Sequence, residues 1–146
     1  MKKNIRIFTD GACSSNPGKA GIGVFIEGFL NKEISQYIGV RTNNYAELMA
    51  IKKGLDFVYY SIKNMGQKHN IKIQVISDSK YSIGVITNHN WNIVANVSLI
   101  LNIREKVKKI RDLKCVKRIG FQFVKGHSGV IGNEIADKLA VRGKMK

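Results

Sequence analysis

The sequence predicts an α/β fold, a mixed sheet covered by helices, and three observations predict it. Three strand-like stretches joined by short turns occupy the first 40 residues. After them, segments with apolar residues at helical spacing alternate with two further strand-like runs. The 146 residues are 44% hydrophobic, enough for one sizeable core and therefore a single domain over 1–146.

The elements follow in order. Residues 4–12 read as a strand rich in β-branched and aromatic side chains, and the loop "SSNPGKAG" leads to "IGVFIEG" and "EISQYIGV", an antiparallel meander. From 44 to about 64, Leu48, Ile51, Leu55, Val58 and Ile62 recur at steps of three and four, with Asn43 or Asn44 as the expected cap. "IKIQVIS" over 71–77 is a fourth strand, and a helix over 79–87 follows. A helix over 95–112 turns Ile100, Ile103, Val107 and Ile110 to one side. "KRIGFQFV" alternates as a fifth strand, and the last helix begins near Gly132 with Ile135, Ala136, Leu139 and Ala140 inward. The order β, β, β, α, β, α, α, β, α fits a mixed sheet.

Twenty-five bases against ten acids give a formal charge of +15, which points to a polyanionic partner, nucleic acid first. Cys13 and Cys115 lie far apart with no CxxC and no nearby histidine spacing, excluding a zinc site and a disulfide scaffold. No apolar run is long enough for a bilayer, and "MKKNIRIFTDGAC" has no signal-peptide pattern, so the expectation is a cytoplasmic protein without a membrane partner, acting as a monomer.

Against this basic background four acids stand in apolar frames: Asp10 in "IRIFTDGAC", Glu47 in "NNYAELMAI", Asp78 in "VISDSK" and Asp137 in "NEIADKLAV". Buried carboxylates are normally paired or metal-bound, because an isolated one costs several kcal/mol or protonates. Asp10 and Asp78 end strands, where open α/β sheets build ligand sites, while Glu47 and Asp137 flank the inward faces of two helices. Four such acids converging repel one another unless divalent cations neutralise them, and carboxylate oxygens suit Mg²⁺. Glu27, Glu33, Asp56, Glu105 and Asp112 lack that framing and read as surface ion pairs. "CSSNPGKAG" is no P-loop: it lacks the first glycine, has Ala20 where a hydroxyl is needed, and leads into a strand.

"TDGACSSNPGKAGIGV", "TNNYAELMAI", "SDSKYSIGVI" and "VKGHSGVIGNEIADKLA" resemble, in order, the four signature segments of type 1 ribonuclease H, over nearly the whole chain. The resemblance implies a ribonuclease H-like sheet of order 3-2-1-4-5 and cleavage of the RNA strand of RNA/DNA hybrids with two Mg²⁺ ions, or Mn²⁺, leaving 5′-phosphate and 3′-hydroxyl ends. It implies that Asp10, Glu47, Asp78 and Asp137 are the catalytic metal ligands and that His127 is the auxiliary catalytic histidine. It further implies that Cys13, Asn16 and Asn43 lie along the RNA strand's minor groove, with Thr42 and Asn44 toward the DNA strand.

Two departures from the family are visible. The tryptophan-rich basic loop that many bacterial members carry after the "NW" of Asn90 and Trp91 is missing, and the stretch 59–72 is longer than expected. Arg104, Lys108 and Arg111, recurring at steps of four and three, are the expected replacement for the missing basic surface. The competing functions are a DNA-directed nuclease of the same fold and a noncatalytic nucleic-acid-binding module; the latter has no need of all four acids.

Overall fold

The computed structural model describes residues 3–146. Its elements are β1 (Lys3–Cys13), β2 (Gly18–Gly28), β3 (Lys32–Arg41), α1 (Asn43–Ile62), a 3₁₀ turn (Gln67–His69), β4 (Ile71–Ser77), α2 (Lys80–Thr87), α3 (Val97–Arg111), β5 (Val116–Phe123) and α4 (Ile131–Lys144). The strands form one sheet of order β3-β2-β1-β4-β5. β1 runs antiparallel to β2 and parallel to β4, and β5 is parallel to β4 at the edge. Among the described residues no helix is long and apolar enough to cross a membrane.

Strand alternation assigns the two faces. Ile5 and Ile7 of β1 and Ile73 and Val75 of β4 join Leu48, Ile51, Leu55 and Val58 of α1 and Ile100, Ile103, Val107 and Ile110 of α3 in the main core. Phe8 and Ile76 point the other way and meet Ala136 of α4. Asp10 and Asp78 continue the parity of Phe8 and Ile76, so both carboxylates emerge toward α4.

One detail differs from the sequence reading, and one that it left open is placed. The α1 cap is Thr42, whose Oγ1 accepts the Tyr45 N–H at 3.1 Å, because β3 runs through Arg41 and leaves Thr42 as the extended residue before the first turn. The 59–72 stretch closes the opposite end of the sheet from Asp78. Seven residues of β4 at about 3.3 Å each put it roughly 23 Å away, and His69 there is held against Lys3 Nζ at 2.7 Å.

Candidate active site

The site is built where β1 and β4 end side by side. Thr9 and Ser77 are register partners, which makes Asp10 and Asp78 the next residues on adjacent parallel strands. β1 also approaches the start of α1 closely: a Cβ on Gly11 would stand 2.7 Å from the backbone of Ala46 and Glu47, so only glycine lets Glu47 swing over the strand end. The Gly11 N–H then donates to Asp10 Oδ1 and to Glu47 Oε1, both at 2.9 Å. Asp10, Glu47 and Asp78 each offer a carboxylate oxygen, and these lie within 4.8 Å of one another.

Asp78 is fixed by the turn that follows it. The Ser79 N–H donates to Ser77 Oγ at 3.0 Å, and Ser79 Oγ caps α2 by accepting from the Ser82 N–H at 3.1 Å. Asp78 Oδ1 is nonetheless buried without a hydrogen-bond partner. Asp137, in the second turn of α4, comes near enough to Asp10 to raise its pKa, though it stands outside the group of three. The structure thus brings together Asp10, Glu47 and Asp78, with Asp137 at their flank.

The electrostatics are those of crowded anions. Burial, then the charge of Asp78 and the contact with Asp137, push Asp10 from 3.8 up to about 8. Burial and the charges of Asp10 and Asp78 push Glu47 well above the usual carboxylate range. Among the described residues the ion pairs fall elsewhere, on Glu27 with Arg6 and on Asp56 with Lys52 and Lys106. All the donors are carboxylate oxygens and one is an orphaned buried acceptor, which fits a hard divalent cation such as Mg²⁺.

His127 is exposed in the 124–130 loop and takes a left-handed backbone, φ 56°. The neighbouring Gly126 passes so near Asp78 that a Cβ there would lie 2.9 Å from Oδ2, which locates the loop beside the acids. The other expected residues form a second group beyond Gly11. Asn16 Oδ1 accepts the Asn43 N–H at 3.0 Å, and the Cys13 thiol donates to Arg41 O at 3.6 Å. Burial raises that thiol's pKa. Asn16, Thr42 and Asn44 line a cavity of about 420 Å³ together with Tyr81, Trp91 and Asn92.

One residue escaped the sequence reading and one expectation is corrected. Asn133, one turn before Asp137 on α4, is 1% exposed with an unpartnered Oδ1; the only sequence signal was an amide inside the apolar helix start. Arg104 does not join Lys108 and Arg111 in a free cationic stripe, since its guanidinium turns inward onto Val85 O at 2.6 and 2.9 Å. A concavity of about 800 Å³ between α2, α3 and β5 carries Glu105 and Asp112 beside Lys108 and Arg111 and so favours no single sign of ligand.

Comparison with known proteins places the chain in a family. The family described as RNase H matches residues 2–145. The ribonuclease H of Chlorobium limicola is 37% identical over 149 residues, covering 96% of this chain and 94% of that protein. The ribonuclease H of Orientia tsutsugamushi is 36% identical, covering 97% and 83%. The structure of LC11-RNase H1 in complex with an RNA/DNA hybrid shares the fold with a TM-score of 0.74, at 22% identity over 97% of this chain and 99% of that one.

Proposed function

Because the chain belongs to the ribonuclease H family of hydrolases, we propose that it cleaves the RNA strand of RNA/DNA hybrids through Asp10, Glu47, Asp78 and Asp137, leaving 5′-phosphate and 3′-hydroxyl ends. The observation that carries this reading is the trio of acids within 4.8 Å of one another in a chain of net charge +15. Two Mg²⁺ ions, or Mn²⁺, would supply an activated water and stabilise the departing oxygen. Asp10 and Asp78 at the strand ends, Glu47 from α1 and Asp137 from α4 are the residues that would hold them. A water oxygen bonds to phosphorus as the bond from phosphorus to the ribose O3′ breaks; the water gives up a proton, and O3′ takes one to leave as a hydroxyl. His127, on its exposed loop, assists proton transfer as the product strand leaves. Cys13, Asn16 and Asn43 face the RNA strand, and Thr42 and Asn44 the DNA strand.

Labelled RNA/DNA, RNA/RNA and DNA/DNA duplexes incubated with Mg²⁺ test the proposal. Cleavage confined to the RNA of the hybrid is expected. Cutting of DNA/DNA would hand the fold to a DNA-directed nuclease, and no cutting of any duplex would leave a binding module.

A further inference from the structure

We propose that Arg104 is a positioning residue for the substrate groove, clamping the end of α2 to the 88–91 turn and so holding the Trp91 indole at the groove wall; the groove's role rests on the hybrid-cleaving reading above. The last carbonyls of a helix lack intrahelical partners and need outside donors. In α2 the Asn88 N–H takes Gly84 O at 2.8 Å, and Val85 O is left for Arg104. Its Nε and Nη2 both donate to Val85 O, at 2.9 and 2.6 Å, and Nη2 also reaches Asn88 O at 3.4 Å. Asn88 O accepts the Trp91 N–H at 3.0 Å, while Asn88 Oδ1 accepts the Asn90 N–H at 3.0 Å. One side chain from mid-α3 therefore fixes the carbonyl on which the tryptophan turn hangs.

The indole is seated from the other side too. It lies across α2 at Gly84, where any Cβ would collide with the ring, and meets Tyr81 edge-on at 6.3 Å and 82°. Trp91 is 42% exposed, and its open side belongs to the cavity that Asn16, Thr42 and Asn44 line. Between α2 and α3 the chain has no regular structure, and α3 starts without a side-chain cap at Asn96, so this wall is held by side chains, Ile93 packing on the main core and Arg104 holding the turn. Only a fork of N–H donors can hold one carbonyl twice and reach a second, which lysine cannot do.

Trp91 is the only tryptophan in the chain, so its emission reports the wall directly. In the free protein, Arg104→Ala should red-shift the emission and increase quenching by acrylamide, with Arg104→Lys between it and the parent. Gly84→Ala, which leaves the guanidinium intact but unseats the ring, should move emission in the same way. Both variants should raise KM for hybrid by about tenfold with kcat nearly kept, within the roughly 10²-fold that an ångström-scale misplacement can cost. The slope of log affinity against log salt should stay at the parent's value, whereas loss of a phosphate contact lowers it by about 0.9 per contact for a B-form duplex. Unchanged emission in folded Arg104→Ala, a salt slope lowered by one contact, or a shifted emission with unchanged KM would each overturn the proposal. If Arg104→Ala does not fold, unchanged emission in Arg104→Lys and Gly84→Ala does so instead. A parent that cuts no hybrid would refute the functional reading alone, since the emission measurements need no substrate.

Discussion

Glu47 and Asp56 stand nine residues apart on α1, and their surroundings differ in one respect. Asp56 receives Lys52 Nζ at 2.7 Å and Lys106 Nζ at 3.5 Å. Glu47 receives the Gly11 N–H and two further acids, Asp10 and Asp78. With twenty-five bases available, pairing every acid would be easy, so a cluster kept clear of them is a chemical specification. A lysine there would satisfy the charge permanently, whereas a divalent cation satisfies it and leaves room for a phosphate oxygen.

The largest expected effect breaks that comparison at its acidic end. Asp10→Asn, Asp78→Asn and Glu47→Gln should each bring hybrid cleavage below detection while retaining fold and hybrid binding, and Asp56→Asn should cleave at the parent's rate. Single-turnover cleavage with circular dichroism as the fold control checks this. Full cleavage by Asp10→Asn or Asp78→Asn would remove them from the chemistry. Next in size, His127→Ala should be slower by about 10² to 10⁴, the usual worth of general acid–base assistance, yet remain measurable with Mg²⁺. A variant as inactive as Asp10→Asn would give the imidazole a different and essential role.

Much of this was legible in the sequence because it depends on local pattern. The stripe of Leu48, Ile51, Leu55 and Val58 fixes which side of α1 is inward, and the apolar runs before Asp10 and Asp78 fix where the strands end. The missed features depend on distant partners. Nothing in the spacing of Arg104, Lys108 and Arg111 shows that Val85 O, nineteen residues before Arg104, lacks a donor. The cap passed to Thr42 because β3 pairs through Arg41, a tertiary fact, and Asn133 is buried because α4 lies close on the sheet.

A third, smaller effect reaches the acidic end of the comparison through pH. A carboxyl whose folded pKa lies above its unfolded value adds stability that is full below the unfolded pKa and is lost as pH rises through the folded one. For Asp10 that window runs from 3.8 to about 8, and Glu47 acts in the same direction. In EDTA the protein should therefore lose stability between pH 5 and pH 8, by at most about 1.4 kcal/mol per pH unit for each proton released. Asp10→Asn should lose less, and Mg²⁺ should flatten the parent's curve by neutralising the anions. Chemical denaturation at each pH measures it; identical slopes for parent and Asp10→Asn in EDTA would contradict the crowded-anion account.

The smallest effect sharpens the other end of the comparison, because the two lysines on Asp56 are not equivalent. Lys52 is one turn away on α1 and makes the shorter contact, 2.7 Å. Lys106 comes from α3 at 3.5 Å, and its ammonium also lies 4.4 and 4.8 Å from the Tyr59 and Tyr60 ring centroids. Partly exposed ion pairs contribute about 0.2–1 kcal/mol, while a cation over an aromatic face adds about 0.5–1 kcal/mol and its stem packs besides. Lys106→Ala should thus destabilise more than Lys52→Ala, although the coupling to Asp56 in a double-mutant cycle should be larger for Lys52. Added salt should shrink the Lys52 coupling first, since its ammonium is the more exposed of the two and is screened more. If instead the Lys106 coupling to Asp56 is the larger, the lysine serves the carboxylate before the rings, and α3 is held to α1 by charge.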